Sequence, residues 1–108
     1  MERLPAVTTA ADGTKVTLTH DDWLHIQFRH PEVGSNPESL LAAVSKPDEV
    51  FTEERRGVHA LKRVDKNHFL VVIYQTKNEA DGGLIRTAFL INERRKNRRY
   101  GRKRARQS

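Results

Sequence analysis

His25 and Arg29 lie four residues apart in the segment His20-Asp21-Asp22-Trp23-Leu24-His25-Ile26-Gln27-Phe28-Arg29-His30. On a helix that spacing makes them neighbours on one surface. The pair suits phosphodiester chemistry. Cleaving RNA without a metal needs a base for the 2′-hydroxyl, an acid for the leaving 5′-oxygen and fixed positive charge for the non-bridging oxygens. A histidine serves as acid or base near neutral pH, and an arginine keeps its charge and holds a phosphate with two donors. The same pair also describes an ordinary solvated helix face. His30, which falls between Trp23 and Ile26 on the wheel, reads equally as a buried histidine that ends the helix. Arg55 and Arg56 alternate to opposite sides of a strand, so at most one of them lines a cleft. Lys62 and Thr87 are strand residues whose side depends on register. His59 and His68 have no partner at ligand spacing, and His20, His25 and His30 recur every five residues rather than four. No zinc site or other cofactor is therefore expected.

These residues need a scaffold, and the chain supplies local signals for one. Lys15 to Thr19 alternates and is rich in β-branched residues, as in a short strand or extended lead-in. Thr19 reads as an N-cap, with Asp21 and Asp22 in the first turn where the helix dipole favours negative charge. The helix is predicted from about His20 to about His30 and stops at Pro31. Its apolar arc comprises Trp23, Leu24, Ile26 and Phe28. Ser35-Asn36-Pro37-Glu38 starts a second helix with Leu40, Leu41 and Val44 as its stripe, ending at Lys46-Pro47-Asp48. Strands follow over 50–56 and 58–64, separated by Gly57, with Asp65-Lys66-Asn67 as a turn. The apolar run from His68 to Tyr74 is the predicted central strand. Asp81-Gly82-Gly83 turns the chain into a last strand from Leu84 to Ile91. The predicted fold is α+β: two N-terminal helices packed on one face of an antiparallel sheet of about four strands.

The charge distribution divides the chain. Between Arg94 and Arg106, nine of thirteen residues are basic: Arg94, Arg95, Lys96, Arg98, Arg99, Arg102, Lys103, Arg104 and Arg106. Taking those nine from the 20 basic residues leaves 11 against 14 acidic ones, a formal charge of −3 for residues 1–93. Residues 1–93 therefore read as the domain and residues 94–108 as a disordered, arginine-rich tail, since dense like charges repel and have little to bury. The tail points to nucleic acid. The chain has no cysteine, which excludes disulfides, thiolate metal sites and a cysteine nucleophile, and fits a cytoplasmic location. The first ten residues contain no apolar run after a basic start, so a signal peptide is not expected. No stretch approaches the roughly 20 apolar residues of a spanning helix, so no membrane association is expected.

Four pieces of sequence then add a resemblance. Trp23-x-His25-Ile26-x-x-Arg29-His30-Pro31-Glu32 is followed by Pro47-Asp48-x-Val50, by Leu70-Val71-Val72-Ile73 and by Arg86-Thr87-Ala88-Phe89. In order and spacing, over about residues 16–91, they resemble the phage-associated branch of the barnase–EndoU–colicin–RelE-like nuclease superfamily. The resemblance implies a compact α+β fold with a curved antiparallel sheet, whose cleft binds and cuts RNA without metal. It implies functional positions at His25, Arg29, His30, Glu32 and Thr87. In that frame His25 is the general acid/base, Arg29 the phosphate clamp and Thr87 a hydrogen-bond donor to phosphate. Arg56 or Lys62 stabilises the pentavalent transition state, and Glu32 is either a helix-end partner or a base. The arginine-rich extension is a departure from the family's pattern. RNA is the expected partner, with a cognate inhibitor protein as a further one. Three functions stay open: a metal-independent endoribonuclease (toxin, effector or phage-encoded), a non-catalytic nucleic-acid-binding module acting through the tail, and an RNA-associated structural protein.

Overall fold

In the computed structural model, which describes residues 3–55, 57–78 and 82–101, the first helix, α1, spans His20–Arg29. The Thr19 hydroxyl oxygen accepts from the Asp22 amide at 3.1 Å and donates to the Asp22 carboxylate at 3.0 Å, closing the cap from both sides. Pro31 prevents the helix from continuing, and residues Pro31–Val33 form a single 3₁₀ turn instead. The second helix, α2 (Glu38–Ser45), begins where the Asn36 side chain accepts from the Glu38 amide. It buries Leu40, Leu41, Ala43 and Val44. On α1 only Trp23 and Ile26 are buried, while Leu24 and Phe28 remain 50% and 84% exposed. The apolar arc is thus narrower than the wheel suggests.

Six strands form one sheet: β1 (Ala6–Thr9), β2 (Lys15–Leu18), β3 (Glu49–Glu53), β4 (Gly57–Arg63), β5 (His68–Asn78) and β6 (Gly82–Asn92). Their order across the sheet is β1-β2-β6-β5-β4-β3. All neighbours are antiparallel except β2 and β6, which are parallel. The run from His68 does form one of the two central strands. Helices α1 and α2 cover one face, where Leu70, Val72, Tyr74, Ile85 and Ala88 meet Trp23, Ile26, Leu40 and Val44 in a single core. The other face carries Phe51, Leu61, Phe69, Val71, Ile73 and Ile91. Alternation along β5 divides its side chains between the two faces.

Two expectations require correction. The sheet is neither four-stranded nor purely antiparallel, because 6–9 and 15–18 pair as a hairpin and β2 joins the edge of β6. β2 lies where Lys15 to Thr19 alternates, whereas the four residues of β1 show no such period. What holds them is tertiary burial of Ala6, Ala10, Val16 and Leu18. The helices are not confined to the N-terminal half, and the basic segment is not wholly disordered: a third helix, α3, spans Glu93–Tyr100 on the second face. Asn92 caps it by accepting from the Arg95 amide at 2.8 Å. Lys96 pairs with Glu49 at 2.7 Å, and Arg63 with Glu93 at 2.9 Å. Tyr100 is 1% exposed, its ring stacked on Phe51 at 4.7 Å and its hydroxyl 2.8 Å from Nδ1 of His59. One buried aromatic and two ion pairs outweigh the repulsion that the charge run implies. Residues 102–108, with Arg102, Lys103, Arg104 and Arg106, lie outside the described residues. Among the described residues no helix is long and apolar enough to cross a membrane.

The hairpin between β3 and β4 depends on Gly57, whose φ of +81° is a left-handed conformation. A β-carbon there would also collide with the carbonyl oxygen of Tyr74 on β5. Gly57→Ala is expected to destabilise the fold by about 1–3 kcal/mol, read as a lower urea midpoint; an unchanged midpoint would show that the hairpin adopts another turn. At the next turn, the Asn67 amide and the His68 imidazole hold the Asp65 carboxyl below the usual carboxylate range.

Candidate nucleic-acid interface

A cavity of about 480 Å³ opens on the face of the sheet that carries α3. Ile73 and Phe89 give it an apolar floor, and Gln75 lies on the same wall. Four arginines surround it: Arg55 from the β3–β4 turn, Arg86 from β6, and Arg95 and Arg99 from α3. His30 and Thr87 complete the lining, which contains no carboxylate among the described residues.

Each group is delivered by an identifiable local feature. Tyr74 pairs with Ile85 and Ile73 with Thr87, so Arg86 is an extra residue in β6. Such a bulge re-aims side chains, and here Arg86 and its neighbour Thr87 both face the cavity. Arg86 also lies 3.7 Å from the Asp22 carboxylate, which links it to the start of α1. β2 pairs with β6 only through Gly83 and Leu84. The later part of β6 is therefore left to α1 and the 3₁₀ turn, which pack against it. That packing places the ring of His30, the C-cap of α1, 5.7 Å from the ring of Phe89. Nδ1 of His30 is 3.3 Å from the Glu32 carboxylate, so the partner orients the imidazole and leaves Nε2 for other work. On the opposite side the Arg99 guanidinium sits 5.4 Å from the Phe89 ring centre.

Of the residues singled out from sequence, His30, Thr87, Arg95 and Arg99 come together in this cavity, and Glu32 reaches it through His30. His25 and Arg29 are exposed on α1 and do not line it; nor does the half-buried Lys62 of β4. Arg56 lies outside the described residues, while its neighbour Arg55 does line the cavity. Arg94 lines a separate recess with Asn67, His68 and Asn97, and Lys96 is engaged with Glu49. Arg86 and Phe89 enter the sequence reading only as motif positions with no functional role, and Gln75 does not enter it. Arg86 and Phe89 flank Thr87 closely, but nothing in the sequence marks the bulge that turns Arg86 inward.

Adding the five cations of α3 to residues 1–93 changes the formal charge from −3 to +2 for residues 1–101. The folded unit itself therefore bears the basic surface. Four guanidinia, an imidazole, a hydroxyl and an amide around an apolar floor form a lining whose donors match the chemistry of an anion. Among the described residues no cluster of three His, Asp or Glu could hold a metal ion. No protein-family model matches the sequence, and no curated protein or solved structure matches it significantly.

Proposed function

We propose that this chain binds RNA in the arginine-lined cavity and cleaves it by transesterification without a metal, as a cytoplasmic endoribonuclease of toxin, effector or phage-encoded type. The observation that carries this reading is the convergence of His30 and Thr87 with four arginines in one carboxylate-free cavity. The sequence resemblance to the barnase–EndoU–colicin–RelE-like nucleases supports the same class. In the step itself the 2′-oxygen bonds to phosphorus as the bond from phosphorus to the 5′-oxygen breaks. Nε2 of His30 takes the 2′-hydroxyl proton, and the departing 5′-oxygen takes one from solvent. The arginines and the Thr87 hydroxyl stabilise the charge that accumulates on the non-bridging oxygens. The products are a 2′,3′-cyclic phosphate and a 5′-hydroxyl. A cognate inhibitor protein would cover these cations with carboxylates.

A second reading, binding without cleavage, is favoured by one observation: among the described residues the lining holds a single imidazole and no carboxyl, so they supply one proton-transfer group. Incubating the protein with mixed RNA in EDTA separates the two. Fragments ending in 2′,3′-cyclic phosphate are expected. Intact RNA, under conditions where the protein demonstrably binds it, would leave the binding module as the function.

A further inference from the structure

Between α3 and β6 lies a recess that shares only part of its lining with the cleavage site. A smaller cavity of about 170 Å³, lined by Ile91, Arg95, Arg98 and Arg99, shares Arg95 and Arg99 with the larger one. Arg98 belongs to it alone. Spacings of three and four residues put these guanidinia on one side of the helix, where like charges destabilise one another. Among the described residues none of the three forms an ion pair, although Lys96 and Arg63 nearby both do. The helix holds its cations in place because Tyr100 is buried beneath them, and it offers their charge to something outside the chain.

Building on the RNA reading of the larger cavity, we infer that α3 carries a second phosphate site, formed by Arg95, Arg98 and Arg99, and that the ligand is a single strand presenting two consecutive phosphates. Two cavities that share two guanidinia must hold anions spaced closely enough for one arginine fork to serve both. Neighbouring phosphodiesters of one strand meet that requirement. The smaller cavity admits a phosphate and part of a sugar but not a duplex. Side-chain carboxylates of an acidic peptide alternate in direction along an extended chain, which fits two adjoining cavities on one side less well. The site reads backbone charge, so it confers length dependence and not base preference.

The test uses 2′-O-methyl oligonucleotides, which lack the attacking hydroxyl and so report binding apart from cleavage. The wild-type protein is expected to bind a trinucleotide, with two phosphodiesters, about tenfold tighter than a dinucleotide with one. Arg98→Gln, a change at an exposed position, should reduce that ratio below about twofold and lower the salt dependence of trinucleotide binding by about 0.7 in log–log slope. A wild-type ratio near one, or a ratio that survives Arg98→Gln, overturns the second site and leaves the first intact. Failure of the wild-type protein to bind either probe overturns the RNA reading and this site with it. Polyglutamate competing as well as the trinucleotide overturns the phosphate assignment.

Discussion

His30→Ala is expected to slow RNA cleavage by about 10²–10⁴-fold, the usual worth of a positioned proton-transfer group. The loss should fall on kcat with KM little changed, because the four arginines proposed to hold the phosphate remain. His25→Ala should cleave like the wild-type protein, since His25 is exposed on α1 and does not line the cavity. The paired result matters more than either alone. Both histidines sit in the same ten-residue neighbourhood, so a contaminating nuclease or a general loss of folding would not separate them. If His25→Ala abolishes cleavage and His30→Ala does not, the chemistry lies on the outer side of α1 and the cavity assignment is wrong. Glu32→Gln serves as a graded variant. It keeps a hydrogen-bond acceptor near Nδ1 of His30 but removes the charge, so a smaller loss in kcat than that of His30→Ala is expected.

The contrast between these histidines shows what the sequence makes legible. Local signals were strong where the chain caps or breaks itself: Thr19, Pro31 and Asn36 place both early helices nearly to the residue. Contacts that join distant segments leave no such trace. His30 rather than His25 lines the cavity because β2 covers only the beginning of β6, which leaves the rest of that strand to the C-terminal end of α1. A helical wheel treats the helix as isolated and cannot register this. Arg86 is hidden for a similar reason, because a single extra residue in one strand reverses the alternation that sequence reading relies on. The basic segment misleads in another way. Its charge density suggests disorder, yet Asn92, Lys96 and Tyr100 occupy the three positions that dock a helix: its cap, its ion-paired side and its buried end. A lone tyrosine among arginines is a weak signal until Phe51 and His59 are known to lie beneath it.

That tyrosine makes the strongest prediction about folding and links it to the cavity. Replacing Tyr100 by alanine removes a ring stacked on Phe51 and leaves His59, buried completely, without the hydroxyl it faces. Loss of a buried aromatic costs about 3–5 kcal/mol, which for a domain of this size lowers Tm by on the order of 10–20 °C. Tyr100→Phe keeps the stack and loses the hydrogen bond, so about 1–3 kcal/mol is expected. The functional consequence differs from that of an active-site substitution. Arg95 and Arg99 reach the cavity only while α3 is docked, so Tyr100→Ala should weaken RNA binding even well below its melting temperature. Tyr100→Phe, with the helix still held by its ring, should retain most of that affinity. Thermal unfolding and salt-dependent RNA binding, measured on both variants, test the coupling directly. If Tyr100→Ala melts early but binds RNA like the wild-type protein, the arginines of α3 do not need the docked position. In that case binding arises from charge in the segment alone, and the cavity is not where the phosphate sits.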